Sequence, residues 1–499
     1  MKWLSAFAVA LVLAGPAAAG DEEHHHDHPA PEKLGAVTFP TSCDAAVKPA
    51  FDRATALLHS FAYAASERAF QDVSARDPAC AMAHWGMAMT HYHQLWDPPS
   101  GDALREGAAQ IGMAAGAGSS ARERGFIDAL AAYYRDAEQT PPATRALRYA
   151  QAMAEVARSN PDDTEAQIFY ALALIATAPP VDKTHANQKR AADILEPIYR
   201  RQPQHPGLAH YLIHAYDSAE LAPRGLEAAR AYSKIAPSAP HALHMPSHIF
   251  TRLGLWNDSI ASNEAARATA HAEGDLGEEL HAMDYLTYAY LQLSRYDDAA
   301  RIVAAIPSMN GLPASEFKVG YAAMAMPARL AVERHDWESA ARLQPLPGSP
   351  PQVAAIVYWA RALGRARAQV PGSPDADIDK LQACLNDLRA KANAYWITQV
   401  DAMLQEAQAW RMAARGETAA AVISLRSAAD EEDAVEKLPV TPGPIVPARE
   451  QLGELLLRLG QPDQALREFH AALILAPGRH GALVGVSAAE RLLGAPSAN

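Results

Sequence analysis

One spacing rule constrains this chain more than any other feature. Small, large, glycine and proline positions recur at intervals of about 34 residues, the length of a two-helix unit that stacks on copies of itself. The clearest unit carries Leu452-Gly453, Leu456, Gly460, Ala465, Phe469, Ala472 and Pro477. Gly453 and Ala465 are small where two antiparallel helices touch, and Leu456 and Phe469 fill the gap between units. Gly460 ends the first helix and Pro477 the second. Second helices with the same grammar close at Pro78, Pro161, Pro203 and Pro237. Alanine is abundant and strand-like alternation of β-branched residues is scarce, which favours helix throughout.

The pattern resembles the tetratricopeptide repeat (TPR). It predicts an all-α fold, a TPR solenoid of antiparallel helix pairs forming a right-handed superhelix with a concave groove. Proline-rich breaks and insertions divide it into expected arrays at 36–178, 179–345 and 346–499. Before them stand a secretory signal peptide (1–19), with one lysine, a short apolar run and Ala17-Ala18-Ala19, and a His-rich tail (20–35) read as disordered. The apolar run is too short to span a bilayer, which needs about 20 residues, and no later segment is apolar enough. The expected location is the periplasm or the exterior. An oxidising compartment permits one disulfide, with Cys43 and Cys80 the candidate pair. The formal net charge of −13 argues against a nucleic-acid partner.

The resemblance implies which residues face the groove: first-helix positions two, five, nine and twelve. The unit beginning at Pro206 supplies Gly207, His210, His214 and Asp217 there. The unit beginning at Pro240 supplies His241, His244, His248 and Thr251. The unit beginning at Leu280 supplies His281, Asp284, Tyr288 and Leu291. Five histidines and two aspartates thus share one surface, and His241 adds a sixth histidine at the rim. The preceding unit offers Glu165, Ile168, Leu172 and Ile175, so the cluster is local.

His210 and His214, like His244 and His248, are spaced i, i+4, which puts each pair on one helical face. Imidazole with carboxylate suits zinc, copper, iron or nickel. The candidate ligands are His210, His214, His244, His248, His281 and Asp284, with Asp217 as a ligand or as an acceptor that orients an imidazole. His91 and His93 form a weaker second candidate. His59 and five other scattered histidines read as isolated surface or packing residues.

Four blocks carry a closer resemblance to a group of exported bacterial TPR proteins with His-rich groove motifs: Asp77–Met89, His205–Asp217, His244–Phe250 and His281–Tyr285. It implies the fold and the importance of the cluster, and no reaction. Chaperone-binding TPR domains hold a peptide carboxylate with Lys, Arg and Asn at groove positions, where this chain has His and Asp. Three readings stand at this point. One is a solenoid binding a transition-metal ion (copper, zinc or iron). Another is a metal-dependent enzyme on that scaffold, although no H-E-x-x-H general base names a reaction. The third is a metal-free scaffold docking a peptide or protein in the groove.

Overall fold

The computed structural model describes residues 32–494 apart from 97, 310, 369–371 and 392. The expected signal peptide, and the His-rich tail as far as residue 31, lie outside the described residues. Those described form helices, short 3-10 turns and loops, without a strand.

Helix pairs follow the repeat grammar. Pro206–Ala215 pairs with Ala222–Ile235, and Leu276–Gln292 with Tyr296–Ala305. Ala448–Arg458 pairs with Pro462–Leu475. In this last pair a Cβ on Gly453 would come within 2.7 Å of the Phe469 ring, so only glycine lets the two helices approach. Gly460 has φ +69°, which ends the first helix where the sequence places its stop. The unit at Pro240 departs from one continuous first helix. It breaks into Pro240–His244 and Pro246–Arg252, because Pro246 has no N–H to donate and its ring crowds the preceding turn.

Two apolar cores result. One runs from Leu34 to Phe250 and the other from Trp256 to Ala482. They meet at the second His-bearing unit, and each runs without interruption across one of the expected boundaries, 178/179 or 345/346. From Lys33 onward the described residues form one packed unit. No described helix is long and apolar enough to cross a membrane.

Distant segments close over the middle repeats. On one side Phe61, held at φ +53° after the helix Lys48–His59, lays its ring against His210, His214 and His241, with centroids 4.4, 5.9 and 5.6 Å apart. On the other side the proline-rich segment 436–446 crosses the groove. Prolines leave carbonyls without neighbouring donors of their own, and buried groups of the third unit and the helix after it supply the donors. Tyr285 Oη donates to Thr441 O (3.1 Å), and Arg329 donates to Pro444 O (2.7 Å) and Gly443 O (3.0 Å). Lys437 reaches Asp217 at 2.7 Å. Cys43 and Cys80 are joined by a disulfide, with Cα atoms 4.7 Å apart.

Candidate metal centre

The six groove histidines form two triads of buried imidazoles. His210, His214 and His241 make one; His244, His248 and His281 make the other. Within each triad the candidate ligand atoms lie within 4.8 Å of one another. Each triad follows the same rule: positions five and nine of one unit, and position two of the next. The stacking of one repeat on another therefore generates both from a single geometric step, and the two abut, with His214 and His248 rings 5.9 Å apart. His241, expected at the rim, is buried and is a full member of the first triad.

Hydrogen bonds fix which nitrogens are bare. His244 Nδ1 lies 2.6 Å from Asn263 Oδ1. The amide is oriented by its own nitrogen, which donates to Ser259 O at 2.7 Å. The oxygen thus faces the ring, and His244 Nδ1 carries the proton. His248 Nδ1 lies 2.9 Å from Asp217 Oδ2, a carboxylate that also accepts from Arg252 and Lys437, so it too is a donor. Burial pushes the His244 imidazolium well below its ordinary range and His248 down to about 4, the latter against the opposing pull of Asp217. Both rings are neutral at pH 7. Their Nε2 atoms carry lone pairs and face each other at 3.0 Å with no proton between them, and the Tyr285 hydroxyl, which donates to Thr441 O, stands 3.4 Å from His248 Nε2.

The first triad is wired in part the same way. His210 Nδ1 donates to the backbone carbonyl of His59 at 2.6 Å, which leaves its Nε2 bare, 3.1 Å from His214 Nε2. Burial holds both His210 and His214 well below the usual histidine range. His241 Nδ1 faces Glu278 Oε2 at 3.3 Å, while its Nε2 is buried without a partner. Burial alone would raise the Glu278 carboxyl, but Lys318 and His241 hold it well below the carboxylate range. His214 Nδ1 is also buried without a partner. Neutral imidazoles at His210, His244 and His248, with carbonyl, amide and carboxylate acceptors on the outer nitrogens and bare nitrogens turned inward, are the donor type of a borderline transition metal.

Four candidate ligands lie outside the triads. Asp284 is buried against Arg329, whose Nε donates to Oδ1 at 3.2 Å, and it joins neither triad. The third unit has Asp284 and Tyr288 at positions five and nine, so the ligand pattern stops there. Asp217 takes the orienting role on His248 and is not a member of either triad. His91 and His93 also stay outside. His91 stands 3.6 Å from Glu67, and His93 stacks on Tyr63 with centroids 4.3 Å apart. Desolvation lowers His93 to about 4.

His59 is the clearest correction. It is fully buried, with Nε2 3.0 Å from Glu165 Oε2 and Nδ1 3.0 Å from Tyr211 Oη. Glu165 holds His205 with its other oxygen at 3.0 Å. This hydrogen-bonded trio anchors the stretch whose carbonyl orients His210. Nothing in the repeat register announces it, because His59 meets His210 from 151 residues away. Asn263 was equally hidden, in a second helix that the groove positions ignore.

No known family profile matches the chain, and no curated protein matches it. Solved structures match it at low identity. A monomeric mutant of IFIT1 with Gppp-AAAA is 12% identical, at TM-score 0.36 over 83% of this chain and 90% of that one. The P58(IPK) TPR domain is 12% identical, at TM-score 0.20 over 90% and 99%. Naa15/Naa10 bound to HypK-THB is 10% identical, at TM-score 0.24 over 84% and 62%. The likeness says nothing about the histidines.

Proposed function

We propose that this protein is an exported transition-metal-binding TPR solenoid, with one ion held by each histidine triad. The observation that carries the reading is the pair of bare Nε2 atoms of His244 and His248, 3.0 Å apart in a buried site. Two lone pairs at that distance repel, and a shared cation turns the repulsion into coordination. His244, His248 and His281 hold one ion; His210, His214 and His241 hold the other. Six imidazoles without a thiolate favour zinc, copper or iron. The Cys43–Cys80 bridge suits an oxidising compartment.

Over this stretch the groove is filled by the chain's own residues 436–446. A peptide partner would have to displace them or dock elsewhere on the solenoid. Metal titration of chelator-stripped protein by calorimetry tests the reading, alongside the double variant His244→Ala/His248→Ala. The double variant retains helical circular dichroism and loses one of two binding events. Two unchanged binding events in a folded double variant refute the assignment.

A further inference from the structure

The two triads differ in their surroundings. In the second, the outer nitrogens of His244 and His248 are both locked by side-chain acceptors. In the first, His214 Nδ1 has no acceptor. His214 also lines a cleft of about 470 Å³, and no member of the second triad lines it. The cleft runs between the helix Pro142–Ser159, the turn after Ala176 and residues 436–439. Its polar end carries His214, Asp217, Glu436 and Lys437, with Lys437 Nζ 2.7 Å from Asp217 Oδ2 and His185 Nε2 3.9 Å from Glu436. His185 lines the same cleft and is more than nine-tenths buried, and its Nδ1 lacks a partner. Leu147 and Ile175 contribute apolar wall.

We infer that the His210–His214–His241 triad is the exchangeable centre, with a coordination position reached through this cleft, and that it takes a small organic anion. The inference rests on the metal reading above. Three neutral imidazoles leave a divalent ion with its full charge, so a fourth ligand gains most by being anionic, and three protein ligands plus an exogenous one is the arrangement of an open site. The unpartnered Nδ1 atoms of His185 and His214 offer hydrogen-bonding capacity to a polar head. Leu147 and Ile175 accommodate an apolar tail. The second triad lines no such cleft, and the outer nitrogens of His244 and His248 are already held by Asn263 and Asp217.

The two readings separate in one experiment. Protein loaded with Co(II) at two ions per chain is titrated with azide and then with hexanoate, and the visible spectrum is followed. Both anions should shift the bands of one ion and leave the other's unchanged. His214→Ala should abolish the response while the second ion stays bound. Leu147→Asp, at an exposed position of the cleft wall, should weaken hexanoate at least tenfold, leave azide within about twofold and leave metal content intact. A cobalt spectrum indifferent to both anions overturns the open-site inference and leaves metal binding standing. A response to azide without one to hexanoate overturns the ligand class. Failure to load cobalt at all refutes the metal reading itself, and this inference with it.

Discussion

Asn263→Leu isolates the contribution of one orienting side chain without touching a ligand. The asparagine accepts from His244 Nδ1 at 2.6 Å and is itself fixed by Ser259 O at 2.7 Å. Leucine has similar bulk and no acceptor, so the imidazole loses its anchor and its preferred tautomer. Losing such a partner typically weakens metal affinity by about 10–100-fold. At this site metal held at ~100 times Kd contributes about 2.7 kcal/mol in the wild type and only about 0.4–1.4 kcal/mol in the variant, the other triad adding equally to both. The metal-free variant also loses two buried hydrogen bonds, a separate cost of roughly 1–3 kcal/mol. The informative quantity is therefore the difference between melts with and without metal, taken within each protein by denaturant titration at fixed free zinc. Asn263→Asp, which keeps an acceptor, should retain most of the metal increment. An increment in Asn263→Leu equal to that of the wild type would refute the orienting role and the tautomer argument behind it.

Other consequences follow from burial and charge. Burial raises the Glu432 carboxyl to about 7, from an ordinary 4.5. A raised acid contributes stability that is fully present below the unfolded value and is lost as pH rises through the folded one. Against the same urea melts of Glu432→Gln, the wild type should lose roughly 2 kcal/mol more between about pH 5.5 and 8.5, on a background that rises with pH because the buried histidines must shed their protons to fold; a wild-type-minus-variant difference that does not fall over this range contradicts the reading. Cys43→Ser with Cys80→Ser should destabilise by about 2–4 kcal/mol, seen as a lower urea midpoint with metal stoichiometry retained. Arg329→Met removes the cation that faces Asp284 and three backbone carbonyls of the proline-rich segment. It should cost about 3–5 kcal/mol and open residues 443–445 to proteolysis; an equally resistant segment would show that Arg329 does not hold it.

Repeat grammar and groove register were legible because both are local. Gly460 and Pro477 mark helix ends, and the i, i+4 spacing alone aligns His210 with His214. The division into triads was not legible. It depends on the step between stacked helices, which puts His241 beside His210 and His281 beside His244. Asp284 looked like a ligand because it shares a face with His281, yet Arg329 approaches from the following helix and claims it. The covers were also beyond reach of local pattern. Phe61 and His59 arrive from the first helix pair and Lys437 from the proline-rich connection after Asp433, and no periodicity links chain positions so far apart. The repeat register carries one first helix through Pro246, and the structure breaks it there because proline inside a helix removes a donor.

The central claim is that the two triads hold metal. Elemental analysis of protein purified without a tag or chelator, normalised to protein by amino-acid analysis, addresses it most directly. Two occupied triads give two transition-metal ions per chain, as isolated or after reconstitution of stripped protein, falling to one in His244→Ala/His248→Ala. A wild-type protein that carries no transition metal, and takes up none when supplied with zinc, copper or iron, would contradict it.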